Sequence, residues 1–175
     1  MSQAAGNESA PLGMRWGMTT KEFKDLFPGQ LTAKATEDLD ISIIERPFAG
    51  RPAKLYIDFK EDRLQKVAIR FADVRGREQF DELRSALSRK YGPGIPLPFG
   101  ARWPNGPKRV DHGWISGRTS IFLHCSGACE PEAPVHLTYG DYSTATPDAR
   151  VTDGILPAGI LDARQEQRIK EDKDL

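Results

Sequence analysis

The sequence predicts an α+β fold of duplicated αβββ units, with antiparallel meander strands in one or two sheets and the helices packed on one side. Three observations carry this. Apolar residues recur at helical spacing in two stretches and alternate as strands do in six others, the order helix, strand, strand, strand occurs twice, and short polar turns suited to hairpins separate neighbouring strands.

The first helix is marked by Thr19 and Glu22, whose Ser/Thr-x-x-Glu spacing forms a capping box, with Met18 and Phe23 placed to pack as a hydrophobic staple. It stops at Pro28-Gly29, where proline withholds an amide and glycine allows reversal. Strands are then expected over 41–44, 55–59 and 64–71. Lys60-Glu61-Asp62-Arg63 reads as a solvated polar hairpin turn between the last two, with Asp58 among the solvated carboxylates. Val67, Ile69 and Phe71 share one face, whereas Leu64 is out of phase with them, so a bulge is expected near Gln65.

Phe80, Leu83, Leu87 and Tyr91 define the second helix, which ends at Gly92-Pro93. A long loop rich in Pro and Gly follows over 94–109, and three more strands are expected over 112–116, 119–125 and 135–139, with Gly117-Arg118 as a tight turn. The repeat rests on Glu22-Phe23-Lys24-Asp25-Leu26 against Gln79-Phe80-Asp81-Glu82-Leu83. These readings place one domain over 1–142, with halves at about 12–73 and 74–142, and a flexible or partly helical polar tail over 143–175.

Length and composition narrow the function classes. A chain of 175 residues suits one domain, and 25 basic against 25 acidic side chains give no excess of positive charge with which to neutralise phosphates. Nucleic acid is therefore not an expected partner, and without an apolar run near the roughly 20 residues that cross a bilayer, neither is membrane insertion. Residues 1–10 are polar and lack the pattern of a secretion signal. A cytoplasmic location is expected, or a periplasmic one had a signal been removed. Stability is expected to come from the core.

Trp16-Gly17-Met18-Thr19 followed by Phe23 and Leu26 resembles the Gly-Met-Thr-x-x-x-Val-x-x-Leu opening of the outer-membrane assembly lipoprotein domain called BamE or SmpA. The β-lactamase-inhibitor protein has that fold in tandem, and the chain is also similar to small bacterial proteins whose second helix ends Lys-Tyr-Gly, here Lys90-Tyr91-Gly92. The resemblance implies a non-enzymatic protein that works by binding other proteins. It covers about a dozen residues directly. Phe27-Pro28-Gly29 departs from the family's Leu-Gly-x-Pro helix exit, and the lipid-acceptor cysteine has no counterpart.

Two groups of residues are candidates for function. Phe99, Arg102 and Trp103 lie in the long loop and are of the types that dominate binding surfaces, although the two aromatics could equally fold back over the core. Trp16 and Trp114 read as core residues. All three histidines and both cysteines fall between His112 and His136. Pairing Leu123 with Leu137 and Ile121 with Tyr139 also sets His124 opposite His136, pointing away from the core, with Cys125 pointing inward. The plain reading makes the histidines half-exposed strand residues, Cys125 a core residue and Cys129 incidental. The alternatives are a Cys125–Cys129 disulfide and a metal site of His124, Cys125, Cys129 and His136.

No glycine-rich phosphate loop, nucleophile elbow, H-E-x-x-H pair or dinucleotide fingerprint occurs, and no cofactor is expected. The expected function is a protein-binding module that blocks or holds another protein, as an inhibitor or immunity protein does. A metal-binding protein or metal-dependent enzyme, and a structural subunit of an assembly, are the other readings.

Overall fold

The computed structural model describes residues 10–96 and 110–144. Helix α1 (Thr20–Leu26) begins with the full capping box: Glu22 Oε2 accepts from the Thr19 amide at 2.7 Å, and Thr19 Oγ1 accepts from the Glu22 amide at 3.2 Å. Met18 and Phe23 are both buried in the core.

The first meander comprises β1 (Thr32–Lys34), β2 (Leu39–Glu45), β3 (Ala53–Lys60) and β4 (Arg63–Arg75). Glu61 and Asp62 both have positive φ in the two-residue β3–β4 loop, the geometry that matches hairpin twist. Beyond it, Phe59 pairs with Leu64 while Asp58 pairs with Lys66, so Gln65 is the extra residue of a bulge. That single residue restores Leu64 to the core side, and Leu64, Val67 and Ile69 are all fully buried.

The turn carboxylates are not simply solvated. Asp62 Oδ1 accepts from the Thr20 amide at 2.9 Å and from its hydroxyl at 2.7 Å, which holds the Asp62 pKa below its ordinary value and ties α1 to the hairpin. Asp58 is a buried strand residue whose carboxylate pairs with Lys66 Nζ at 2.9 Å.

Helix α2 (Gly76–Tyr91) follows β4 directly, and Gln79 Oε1 accepts from the Arg75 amide at 2.6 Å to start it. Gly76 is required there: its φ is +77°, and a Cβ would lie 2.9 Å from the Pro131 carbonyl oxygen. At the other end the Trp114 indole donates to the Gly92 carbonyl at 2.9 Å, and His112 Nε2 lies 2.9 Å from the Pro93 carbonyl. The Lys-Tyr-Gly ending is thus held by two core-side residues of a later strand.

The second meander is β5 (Ile95–Pro96), β6 (Val110–Ser116), β7 (Thr119–Cys125) and β8 (Pro134–Asp141). The short strands β1 and β5 differ from expectation: β1 has no strong apolar alternation, and Ile95-Pro96, read as loop, pairs with His112 and Gly113. The described residues form one eight-stranded antiparallel sheet in the order β1-β2-β3-β4-β8-β7-β6-β5, so the two meanders meet through their last strands.

One buried cluster joins Phe23 of α1 and Phe80 of α2 to Leu55, Ile57 and Phe59 of β3, Val67 and Ile69 of β4, Ile121 and Leu123 of β7, and Leu137 of β8. The Phe23 and Phe59 rings meet edge to face at 5.2 Å. Trp16 and Trp114 are both core residues as expected, and the Trp16 indole donates to Thr119 Oγ1 at 2.8 Å. Among the described residues no helix is long and apolar enough to cross a membrane.

Candidate functional site

Alternate residues of each strand point away from that cluster and form a second face. Register assembles it into rows that run across the sheet. One row is Glu45, Lys54, Arg70, His136, His124 and Asp111, each the cross-strand partner of the next from β2 to β6. Every member is ionisable. The adjacent row is Ile43, Tyr56, Ala68, Thr138, Phe122 and Gly113.

At the β6–β8 end of the ionisable row, His124 Nδ1 lies 2.7 Å from Asp111 Oδ1, and the Asp111 side chain is wholly buried. The other Asp111 oxygen and His136 Nδ1 are also buried and have no hydrogen-bond partner among the described residues. The His124 and His136 rings stack with centroids 5.8 Å apart, and the Phe122 ring lies parallel to that of His124 at 6.1 Å. Burial, followed by the charges of His124 and Arg70, pushes the His136 pKa down to about 4, so this imidazole is neutral near pH 7.

At the β2–β4 end Ile43, Glu45, Lys54 and Arg70 are open to solvent, whereas Asp58 is buried. Lys54 Nζ pairs with Glu45 at 3.0 Å, and Ile43 is 49% exposed. The Arg70 guanidinium carbon sits 4.6 Å from the centre of the Tyr56 ring, a cation–π contact. A depression of about 410 Å³ at this end is lined by Glu45, Arg46, Lys54, Tyr56 and Arg70 among others. Among the described residues neither Arg46 nor Arg70 has an acid within ion-pair distance.

The residues singled out from sequence fall in three places. His124 and His136 oppose each other on the second face, and Cys125 points inward, as the strand register requires. Cys129 is not incidental: it is bonded to Cys125 in a disulfide that closes the turn after β7, and both residues are buried. Both sulfurs are taken up in this bond, so Cys125 and Cys129 are not thiolate donors beside His124 and His136. Among the described residues no three His, Cys, Asp or Glu side chains are arranged to hold a metal. The third histidine, His112, is on the core side, its pKa lowered chiefly by burial. Phe99, Arg102 and Trp103 lie outside the described residues.

Sequence reasoning missed Asp111, Arg70 and Tyr56. The signal for Arg70 was available: counting back from the 60–63 turn and allowing for the Gln65 bulge places it opposite Lys54, diagonal to Tyr56. Asp111 had no such signal, because β6 begins two residues earlier than its apolar pattern indicates. No protein-family model, curated protein or solved structure matches the chain.

Proposed function

We propose that this chain is a non-enzymatic protein-binding module that blocks or holds a partner protein, an inhibitor or immunity protein being one form of it. The binding surface is the β2–β4 end of the second sheet face. The observation that supports this is the grouping on neighbouring strands of a half-exposed Ile43, Tyr56 and an Arg70 that has no acid at ion-pair distance among the described residues. A paired β-lattice holds such side chains at fixed spacing, and aromatic and arginine side chains are the usual anchors of protein interfaces.

We read the chain as a duplication with both helices on one side of the sheet. Helix, short edge strand and three long strands occur in the same order twice, and two copies joined at their last strands would have the mirrored strand order observed. This is the feature that favours a tandem scaffold like that of the β-lactamase-inhibitor protein. The Cys125–Cys129 bond suits an oxidising compartment better than the cytoplasm, where thiols are kept reduced, and we place the working protein in the former.

A photo-crosslinking residue at position 43, with a control at the exposed helix position Ser85, tests the binding surface in cells of the native host. A single protein should crosslink from position 43 and not from 85. Equal or absent crosslinking at the two positions sinks the reading. Acid-quenched thiol labelling of the recovered protein should leave Cys125 and Cys129 unmodified, and labelling of both would return the protein to a reducing compartment.

A further inference from the structure

We propose that Arg70 is the anchor of a carboxylate-binding site, which takes a Glu or Asp side chain of the partner protein flanked by an apolar residue. The proposal rests on the protein-binding reading above and adds the chemistry of what is bound.

Three properties of the site lead to it. The first is charge. Arg46, Lys54 and Arg70 line the depression with one carboxylate, Glu45, which pairs with Lys54 at 3.0 Å, so the lining carries an excess of positive charge. The arginine charges are left without an acid among the described residues. An exposed guanidinium can stay hydrated at little cost, but it also offers a planar fork of N–H donors that matches a carboxylate with two parallel hydrogen bonds.

The second property is pre-organisation. Arginine normally gives up much rotamer freedom on binding, whereas here the guanidinium carbon is already seated 4.6 Å from the Tyr56 ring centre. On the other side, the cross-strand partner of Arg70 is His136, which is neutral near pH 7. It neither repels Arg70 nor competes for it as an acid would.

The third property is the neighbourhood. Ile43 is the cross-strand partner of Tyr56 and is 49% exposed, so an apolar surface adjoins the charged one on the same rigid lattice. A carboxylate on Arg70 with an apolar side chain on Ile43 satisfies both at once. A nucleic acid would use the same cations through phosphates, but it would leave Ile43 uncovered and meet the Glu45 and Asp58 carboxylates on this face.

The test uses the full chain, isotopically labelled, and two terminally blocked probe peptides, Ser-Leu-Glu-Leu-Ser and its Gln twin. Nuclear magnetic resonance should show the Arg70 Nε–H signal and the Tyr56 ring signals moving saturably with the Glu peptide, at a Kd on the order of millimolar. The Gln peptide should bind at least about tenfold more weakly. Arg70→Gln should remove the discrimination while leaving the backbone spectrum otherwise unchanged, and Arg70→Lys should restore it only in part, because an ammonium lacks the fork. The proposal is overturned if both peptides bind alike, if the shifts centre on other cations, or if a short single-stranded oligonucleotide moves Arg70 at lower concentration than the Glu peptide does. Failure here with a specific crosslink from position 43 would leave the binding module standing without this carboxylate anchor. A Glu-selective Arg70 with no crosslinked protein would do the reverse.

Discussion

Ile43 and Phe122 belong to one row on one face of one sheet, yet Ile43 is 49% exposed and Phe122 only 6%. Their ionisable neighbours differ in the same way. The Glu45–Lys54 pair at the β2–β4 end has side chains 69% and 55% exposed, whereas in the His124–Asp111 pair at the β6–β8 end they are 14% and 0% exposed. Identical lattice positions therefore carry different chemistry. In water, opposite charges gain little from meeting and remain available to a partner, while a buried carboxylate is committed to the one donor it has. The first condition is what the proposed binding role of the β2–β4 end requires, and the second ties β6 to β7 at the other end.

The sharpest way to break this comparison is to truncate Ile43 and Phe122. Phe122→Ala should lower unfolding free energy by about 3–5 kcal/mol in urea titration, and Ile43→Ala by no more than about 0.5 kcal/mol. Comparable losses would mean that the two ends are equally structural. Next in size is the ionic contrast: Asp111→Ala should cost about 1.5–3 kcal/mol through loss of a buried charged hydrogen bond, and Glu45→Ala should have no measurable effect on stability.

The disulfide sharpens the picture at the buried end, where it follows β7 directly. It closes a loop of only about five residues, for which chain entropy gives a contribution of about 2 kcal/mol, so Cys129→Ser should lower the urea midpoint by that equivalent. No shift on reduction by dithiothreitol would show that the bond adds nothing to the fold.

The last contrast is one of pH. His136 has a folded pKa of about 4, below its ordinary unfolded value near 6.5, so between those values the unfolded chain binds the proton and the native protein does not. Stability should accordingly fall as pH is lowered from about 6.5 toward 4, with His112 acting in the same direction. His136→Asn should flatten the slope by up to one proton, and an unchanged slope would place the proton uptake elsewhere.

Several of these contrasts were legible before any coordinates. The Thr19–Glu22 box, the extra residue at Gln65 and the His124–His136 pairing are local or register-level facts, fixed by side-chain chemistry within a few residues or by the two-residue period of a strand. The strand cores at 55–59 and 119–125 follow from alternation, because one face of each had to be apolar. Less legible were the strand ends. Three-residue β1 and two-residue β5 are stabilised by pairing with β2 and β6 more than by their own pattern, so propensity could not reveal them.

The sequence by itself determined the caps, the bulge, the antiparallel hairpins and which residues share a face, since each depends on neighbours close along the chain. Only the tertiary structure decided that β4 and β8 join the two meanders into one sheet and that Asp111 completes a row begun at Glu45. These depend on elements meeting across long sequence separations. Solvent exposure is a property of that assembled surface, which is why an arginine and a histidine facing each other on adjacent strands have such different environments.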